Sequence, residues 1–151
     1  MRVLGVDYGD RRTGVAVSDP LGWTAQGLEV VNGGTDVSAE RIAVLARQYS
    51  VRTIVVGYPI NMDGTVGFRA ERTDLFVANL EERLKGASGG DGADNVKIIK
   101  WDERLTSVEA AKILRTSGTR TTSRSVREAG KIDILSASIL LQSYLDSIGG
   151  I

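Results

Sequence analysis

Three acidic residues in this sequence stand where their own local element gives a charge no evident purpose. Asp7 ends the apolar run Val3, Leu4, Gly5, Val6 and is followed by Gly9, so its plainest local role is to cap a turn. Glu103 lies just past KIIKWD, at the carboxyl end of a predicted strand, where α/β folds gather their ligands. An exposed turn glutamate is the plainer reading. Asp133 shares a helical row with Ala137, Leu140 and Tyr144 through steps of three and four residues, which aims its carboxylate at the protein body. An isolated buried charge costs on the order of several kcal/mol unless it is paired or binds a metal. An ion pair with an arginine is the alternative. Together the three acids offer the all-oxygen donor set that Mg²⁺ and Mn²⁺ prefer. Two such ions about 4 Å apart can activate water and stabilise the leaving oxygen of a phosphodiester.

Composition narrows the field. The chain has no histidine and no cysteine, which excludes disulfides, thiolate or imidazole metal sites, cysteine nucleophiles and serine-histidine triads. Catalysis must then run on carboxylates, hydroxyls, lysine or arginine. At 151 residues, with 42% hydrophobic and 25% charged residues, the sequence fits one domain able to bury its own core. No segment approaches the ~20 apolar residues of a membrane span, so no membrane is expected and a cytoplasmic location is the default. The net charge of zero says nothing about nucleic acid; local charge does. From Lys112 to Lys131, Lys112, Arg115, Arg120, Arg124, Arg127 and Lys131 face a single acid, Glu128. Such a segment is a seat for phosphates, or else a solvated loop. With few aromatic residues, base stacking is not the expected mode of binding.

The elements that must position these residues follow from periodicity. Val3 to Val6 and Thr13 to Ser18 predict a hairpin around Gly9-Asp10, and Gln26 to Val31 a third strand. Asp36 to Tyr49 predicts a helix capped by Asp36 or Ser38, followed by the buried strand TIVVG at 53–57 and a turn at Asn61 to Gly64. A second helix is expected from Phe68 to Leu84, a loop over 86–95, and a fifth strand from Val96 to Trp101. Capping boxes at Thr106 to Glu109 and Ser125 to Glu128 open two more helices, with a polar loop over 117–127 between them. Three hairpin-connected strands followed by alternating helices and strands imply an α/β protein: a five-stranded mixed sheet with helices on its faces, the ribonuclease-H-like arrangement.

Four segments in order, VDYGDRRTGVAVSD (6–19), VVGYPINMDGTVG (55–67), WDERLTS (101–107) and KIDILSASILLQSYL (131–145), resemble the YqgF/RuvX family of Holliday junction resolvases or pre-16S rRNA nucleases. The resemblance runs nearly end to end. It implies a ribonuclease-H-like nuclease domain with catalytic and metal-binding acids at Asp7, Glu103 and Asp133. It implies roles for Arg11, Arg12 and Arg104 on phosphates, with structural ion pairs as the alternative, and for Gly5, Gly9 and Gly14 in letting backbone approach a phosphate. Related resolvases carry four acids, but no fourth is assigned, since alternation along the strand points Asp102 away from Glu103. Ser136 stands where the family usually has alanine.

The expected activity is endonucleolytic hydrolysis in structured nucleic acid, either pre-16S rRNA on its way into ribosomal particles or junction DNA. Resolving a junction requires two active sites and hence a homodimer, whereas RNA processing is open to a monomer. Two readings compete. A non-catalytic nucleic-acid or ribosome-associated module keeps the fold without the chemistry. An actin-like ATP-binding lobe would use the same strand-Asp-x-Gly hairpin but needs a second lobe that this length does not supply.

Overall fold

The structure is a computed structural model that describes residues 1–61, 63–86, 96–106 and 123–149, without the side chains of 86, 105 and 123–127. Its strands are β1 (Val3–Asp7), β2 (Arg12–Ser18), β3 (Ala25–Asn32), β4 (Thr53–Tyr58) and β5 (Lys97–Asp102). Helices α1 (Thr35–Gln48), α2 (Phe68–Gly86) and α3 (Ser123–Gly149) pack on the sheet, and a single 3₁₀ turn, Glu103–Leu105, follows β5. The strand order is β3-β2-β1-β4-β5. The first three strands are antiparallel neighbours, and β4 and β5 add in parallel to β1, giving the expected five-stranded mixed sheet.

Alternation along β1 decides which helix meets which residue, because successive strand side chains leave opposite faces. Leu4 and Val6 belong to the core under α1 and α2, with Ile42, Leu45, Phe76 and Leu80. Val3 joins Ala16 and Val55 against Ala137, Leu140, Leu141 and Leu145 of α3. Gly5 and Asp7 share the α3 face with Val3. A leucine buried as Leu140 is contributes about 2 kcal/mol over an exposed one. Among the described residues, no helix is long and apolar enough to cross a membrane.

Three sequence expectations need correcting. Neither Asp36 nor Ser38 caps α1: Gly34 holds that position without a side-chain bond, and its carbonyl accepts from the Ser38 amide. The Ser38 hydroxyl is instead buried and accepts a bond from Thr13 Oγ1 at 3.1 Å, so tertiary contact outweighs local capping. Helix α3 begins at Ser123, ahead of the box at Ser125, which therefore lies inside the first turn; its residues 123–127 are not loop. The helix expected from Thr106 to Glu109 falls on 107–122, outside the described residues, as do Arg120 and the loop expected over 87–95.

Candidate active site

Asp7 is the last residue of β1 and is buried, with 2% of its surface exposed. Two strands flank it. On β2 its antiparallel partner is Gly14, and carrying the parallel register Val6↔Val56 one residue further sets Gly57 of β4 beside it. Neither flanking residue has a Cβ, and both vacant positions are filled by parts of the other two acids. A Cβ on Gly14 would run into the backbone carbonyl of Asp133, and one on Gly57 would lie 2.7 Å from Glu103 Oε1. Two residues back, a Cβ on Gly5 would meet Leu141 Cβ at 2.7 Å and the Ala137 carbonyl oxygen at 3.1 Å. Glycines thus clear a patch of sheet around Asp7, and the backbone of α3 descends onto it.

This arrangement corrects one expectation. Gly5 and Gly14 admit the α3 helix rather than a phosphate, because the helix backbone already occupies the space where their side chains would stand. Gly9 serves the turn, where a Cβ would strike the Arg12 carbonyl.

Glu103 reaches the same patch by a different device. Asp102 ends β5 and caps the 3₁₀ turn by accepting the Arg104 amide at 2.9 Å, and the next residue, Glu103, turns inward and is buried. Asp102 itself faces outward and grips the Arg104 guanidinium, with Nε donating to Oδ2 at 3.0 Å and Nη2 at 2.8 Å. That hydrogen bond holds the Asp102 carboxyl below its ordinary range and pushes the Arg104 pKa up. Asp133 sits on α3, 1% exposed, and its Oδ2 accepts from Arg12 Nε of β2 at 3.0 Å. For Arg12 and Arg104, then, the ion-pair alternative is realised.

The Glu103 side chain and the Asp133 backbone flank Asp7, yet among the described residues no three acidic or other metal-ligating side chains are drawn closely enough together to hold one ion as they stand. Of the other expected phosphate binders, Arg11 is exposed beside the hairpin turn, and Lys131 is exposed on α3 two residues before Asp133. Arg124 and Arg127 lie on the first turns of α3, with side chains outside the described set.

The turn at Asn61 to Gly64 borders Arg104. Gly64 adopts φ +87, a conformation that favours glycine, and its amide donates to the Asn61 carbonyl at 2.8 Å. Asp63 accepts from the Thr65 hydroxyl at 2.6 Å and amide at 2.9 Å, bonds that hold its carboxyl below the ordinary range. Sequence reasoning passed over Gly57 and treated Ser136 only as a small substitution. A glycine at the end of an apolar strand signals close approach, and that signal was available for Gly57. Ser136 is fully buried on α3, and its hydroxyl has no hydrogen-bond partner among the described residues.

Comparison with known proteins bears on the family and the fold. A family model described as "RuvX: Holliday junction resolvase" matches residues 1–147. A protein of Acetivibrio thermocellus described as "Putative pre-16S rRNA nuclease" is 45% identical over 151 residues, covering 99% of this chain and 98% of its own length. One of the same description from Pelotomaculum thermopropionicum is 47% identical, covering 99% and 89%. Among solved structures, Thermus thermophilus RuvC superposes with a TM-score of 0.59 at 13% identity, covering 99% of this chain and 97% of that one. The fowlpox virus resolvase bound to Holliday junction DNA gives 0.52 at 16%, covering 98% and 99%. At such identities the two structures establish the ribonuclease-H-like fold, and the family match establishes the rest: the chain belongs to the RuvX family of Holliday junction resolvases, a family of nucleases.

Proposed function

We propose that the chain is a metal-dependent endonuclease that trims pre-16S rRNA, with Asp7, Glu103 and Asp133 as its catalytic and metal-binding acids. The observation that carries this reading is the glycine-cleared patch: buried Asp7 ends β1, the buried Glu103 side chain fills the space beside Gly57 on one flanking strand, and the backbone of buried Asp133 lies over Gly14 on the other. Their donor chemistry suits Mg²⁺ or Mn²⁺, and the absence of histidine and cysteine from the sequence leaves oxygen as the only strong ligand type. When bound, such an ion supplies activated water and charge neutralisation at the leaving oxygen. The chain's own residues supply the rest. Asp7 and Glu103 orient from the strand ends, α3 fixes Asp133, and Arg11, Arg104, Arg120, Arg124, Arg127 and Lys131 meet backbone phosphates. Arg104, clamped by Asp102 at the rim, presents its remaining donors to a strand running past the Asn61 to Gly64 turn.

RNA is favoured because relatives at 43–47% identity carry the rRNA description, whereas likeness to junction-bound structures stands at 14–16%. Ribosomal particles in the cytoplasm are then the natural setting. Junction DNA is the second reading, favoured by the family description, and it would require a homodimer.

Cleavage of labelled pre-16S rRNA and of four-way junction DNA, with and without Mg²⁺ or Mn²⁺, tests both. Wild type is expected to cut RNA only with metal, and Asp7→Asn, nearly equal in volume, to bind it without cutting. Equal cleavage by the two proteins would sink the nuclease site, and equal binding with no cleavage by either would favour a binding module.

A further inference from the structure

The Arg12–Asp133 contact joins residues 121 positions apart and places a guanidinium against one of the three buried acids. By strand alternation Arg12 stands on the same face of β2 as Gly14, which is the partner of Asp7 and lies under the Asp133 backbone. Asp133 is 1% exposed at the side chain but Arg12 is 25% exposed, so the acid is fixed in the interior while the base keeps a route to solvent. Such a pair is asymmetric. The carboxylate cannot leave the patch, whereas the long arginine side chain can swing outward without unfolding anything.

We propose that Arg12 is a displaceable counter-ion: it neutralises the acidic patch when no metal is bound, competes with the divalent ion for Asp133 Oδ2, and is released toward substrate phosphate when the ion enters. The inference rests on the metal-site reading above. Two cations cannot share the same buried carboxylate oxygen at low cost, so metal binding and the Arg12 contact oppose each other. Once released, the guanidinium is a planar, always-charged donor set at the edge of the site, suited to a phosphate arriving with the metal.

Mn²⁺ titration by calorimetry on wild type, Arg12→Gln and Asp7→Asn, without nucleic acid, tests this. Arg12→Gln is expected to bind Mn²⁺ about tenfold more tightly than wild type, the order expected from removing one partly solvated positive charge beside a divalent ion. Cleavage by the same variant should fall. A merely structural ion pair predicts the opposite, a lower denaturation midpoint with metal affinity unchanged or weakened. In ¹⁵N-labelled wild type, the Arg12 Nε–H resonance should shift and exchange faster with water as Mg²⁺ saturates, a readout that does not depend on any variant folding. Wild type that binds metal while Asp7→Asn does not, with Arg12→Gln unimproved or the Nε–H signal unmoved, would overturn the counter-ion role and leave the metal site standing. No metal binding by any of the three would overturn both.

Discussion

Replacing Gly57 with alanine separates the geometry of the site from the stability of the fold. The new Cβ would lie 2.7 Å from Glu103 Oε1, 3.2 Å from Glu103 Cγ and 3.3 Å from Leu140 Cδ2. All three neighbours are side-chain atoms, and the closest is the far end of the glutamate side chain. Relief therefore requires Glu103 to withdraw by roughly 0.5–1 Å, through a rotamer distortion worth about 0.5–1.5 kcal/mol. Against this, alanine restricts the unfolded chain, which returns about 0.4–1 kcal/mol where the backbone conformation is ordinary. The net change in stability should stay within about 1 kcal/mol, a shift of no more than ~4 °C in Tm for a chain of this size. The catalytic effect should be far larger. A misplacement of about 1 Å in a positioned catalytic group costs on the order of 10²-fold. Cleavage of pre-16S rRNA under metal saturation should thus fall about a hundredfold while the melting curve hardly moves. Wild-type cleavage by Gly57→Ala would show that the position of Glu103 does not matter to the reaction. A Tm lowered by 10 °C or more would show that Glu103 is held too firmly to give way.

Gly14→Ala should behave oppositely, because its Cβ meets the backbone carbonyl of Asp133, which cannot rotate away; a loss of about 3 kcal/mol or more is expected in urea denaturation. Ser136→Ala removes a buried hydroxyl that has no hydrogen-bond partner among the described residues and should gain about 1 kcal/mol, read as a Tm about 2–4 °C higher. Asp102 has a folded pKa below its unfolded value, so its stabilising effect is complete above about pH 4 and is lost as pH falls through the lowered folded pKa. Asp102→Asn should accordingly be less stable than wild type at neutral pH and lose less on acidification, measured by denaturant midpoints from pH 7 to pH 2. Replacing Arg120 and Arg124 with alanine should weaken RNA binding regardless of sequence and flatten its salt dependence by about one counterion per lost contact; an unchanged slope would refute their phosphate role.

The parts of this molecule that were legible in the sequence are those whose signal is local and periodic. The hairpin around Gly9, the strand TIVVG and the row Asp133, Ala137, Leu140 each declared their buried face within a few residues. Asp7 was legible as an unusual acid, now seen to be buried, because a charge ending an apolar strand gains nothing from the strand itself. What could not be read was long-range. The Arg12–Asp133 pair spans nearly the whole chain, and Ser38 looks like a cap until Thr13 is found against it. Glu103 was placed at the right end of the right strand, but its inward turn depends on Asp102 capping a 3₁₀ turn, a detail that strand alternation does not contain.

Stability and chemistry meet in the glycines around Asp7. A helix can bring its backbone against a sheet only where side chains are missing, and here Gly5 and Gly14 clear β1 and β2 for α3 just as Gly57 clears β4 for Glu103. The contact that docks α3 is therefore the contact that sets Asp133 beside Asp7. Below this level sit Ala16, Val55, Leu140 and Leu141, an apolar layer that holds the helix in place without help from the acids. On the metal-site reading proposed above, repulsion among the three buried carboxylates opposes that docking whenever no cation is present. The Arg12 guanidinium offsets part of it, and a divalent ion would offset more. Neutralising one carboxylate, as in Asp7→Asn, should for this reason raise the denaturation midpoint of the metal-free protein while abolishing cleavage. A structural ion-pair role for Asp7 predicts instead a loss of about 3 kcal/mol or more on the same substitution. The sign of a single melting shift therefore distinguishes an acid kept for chemistry from one kept for the fold.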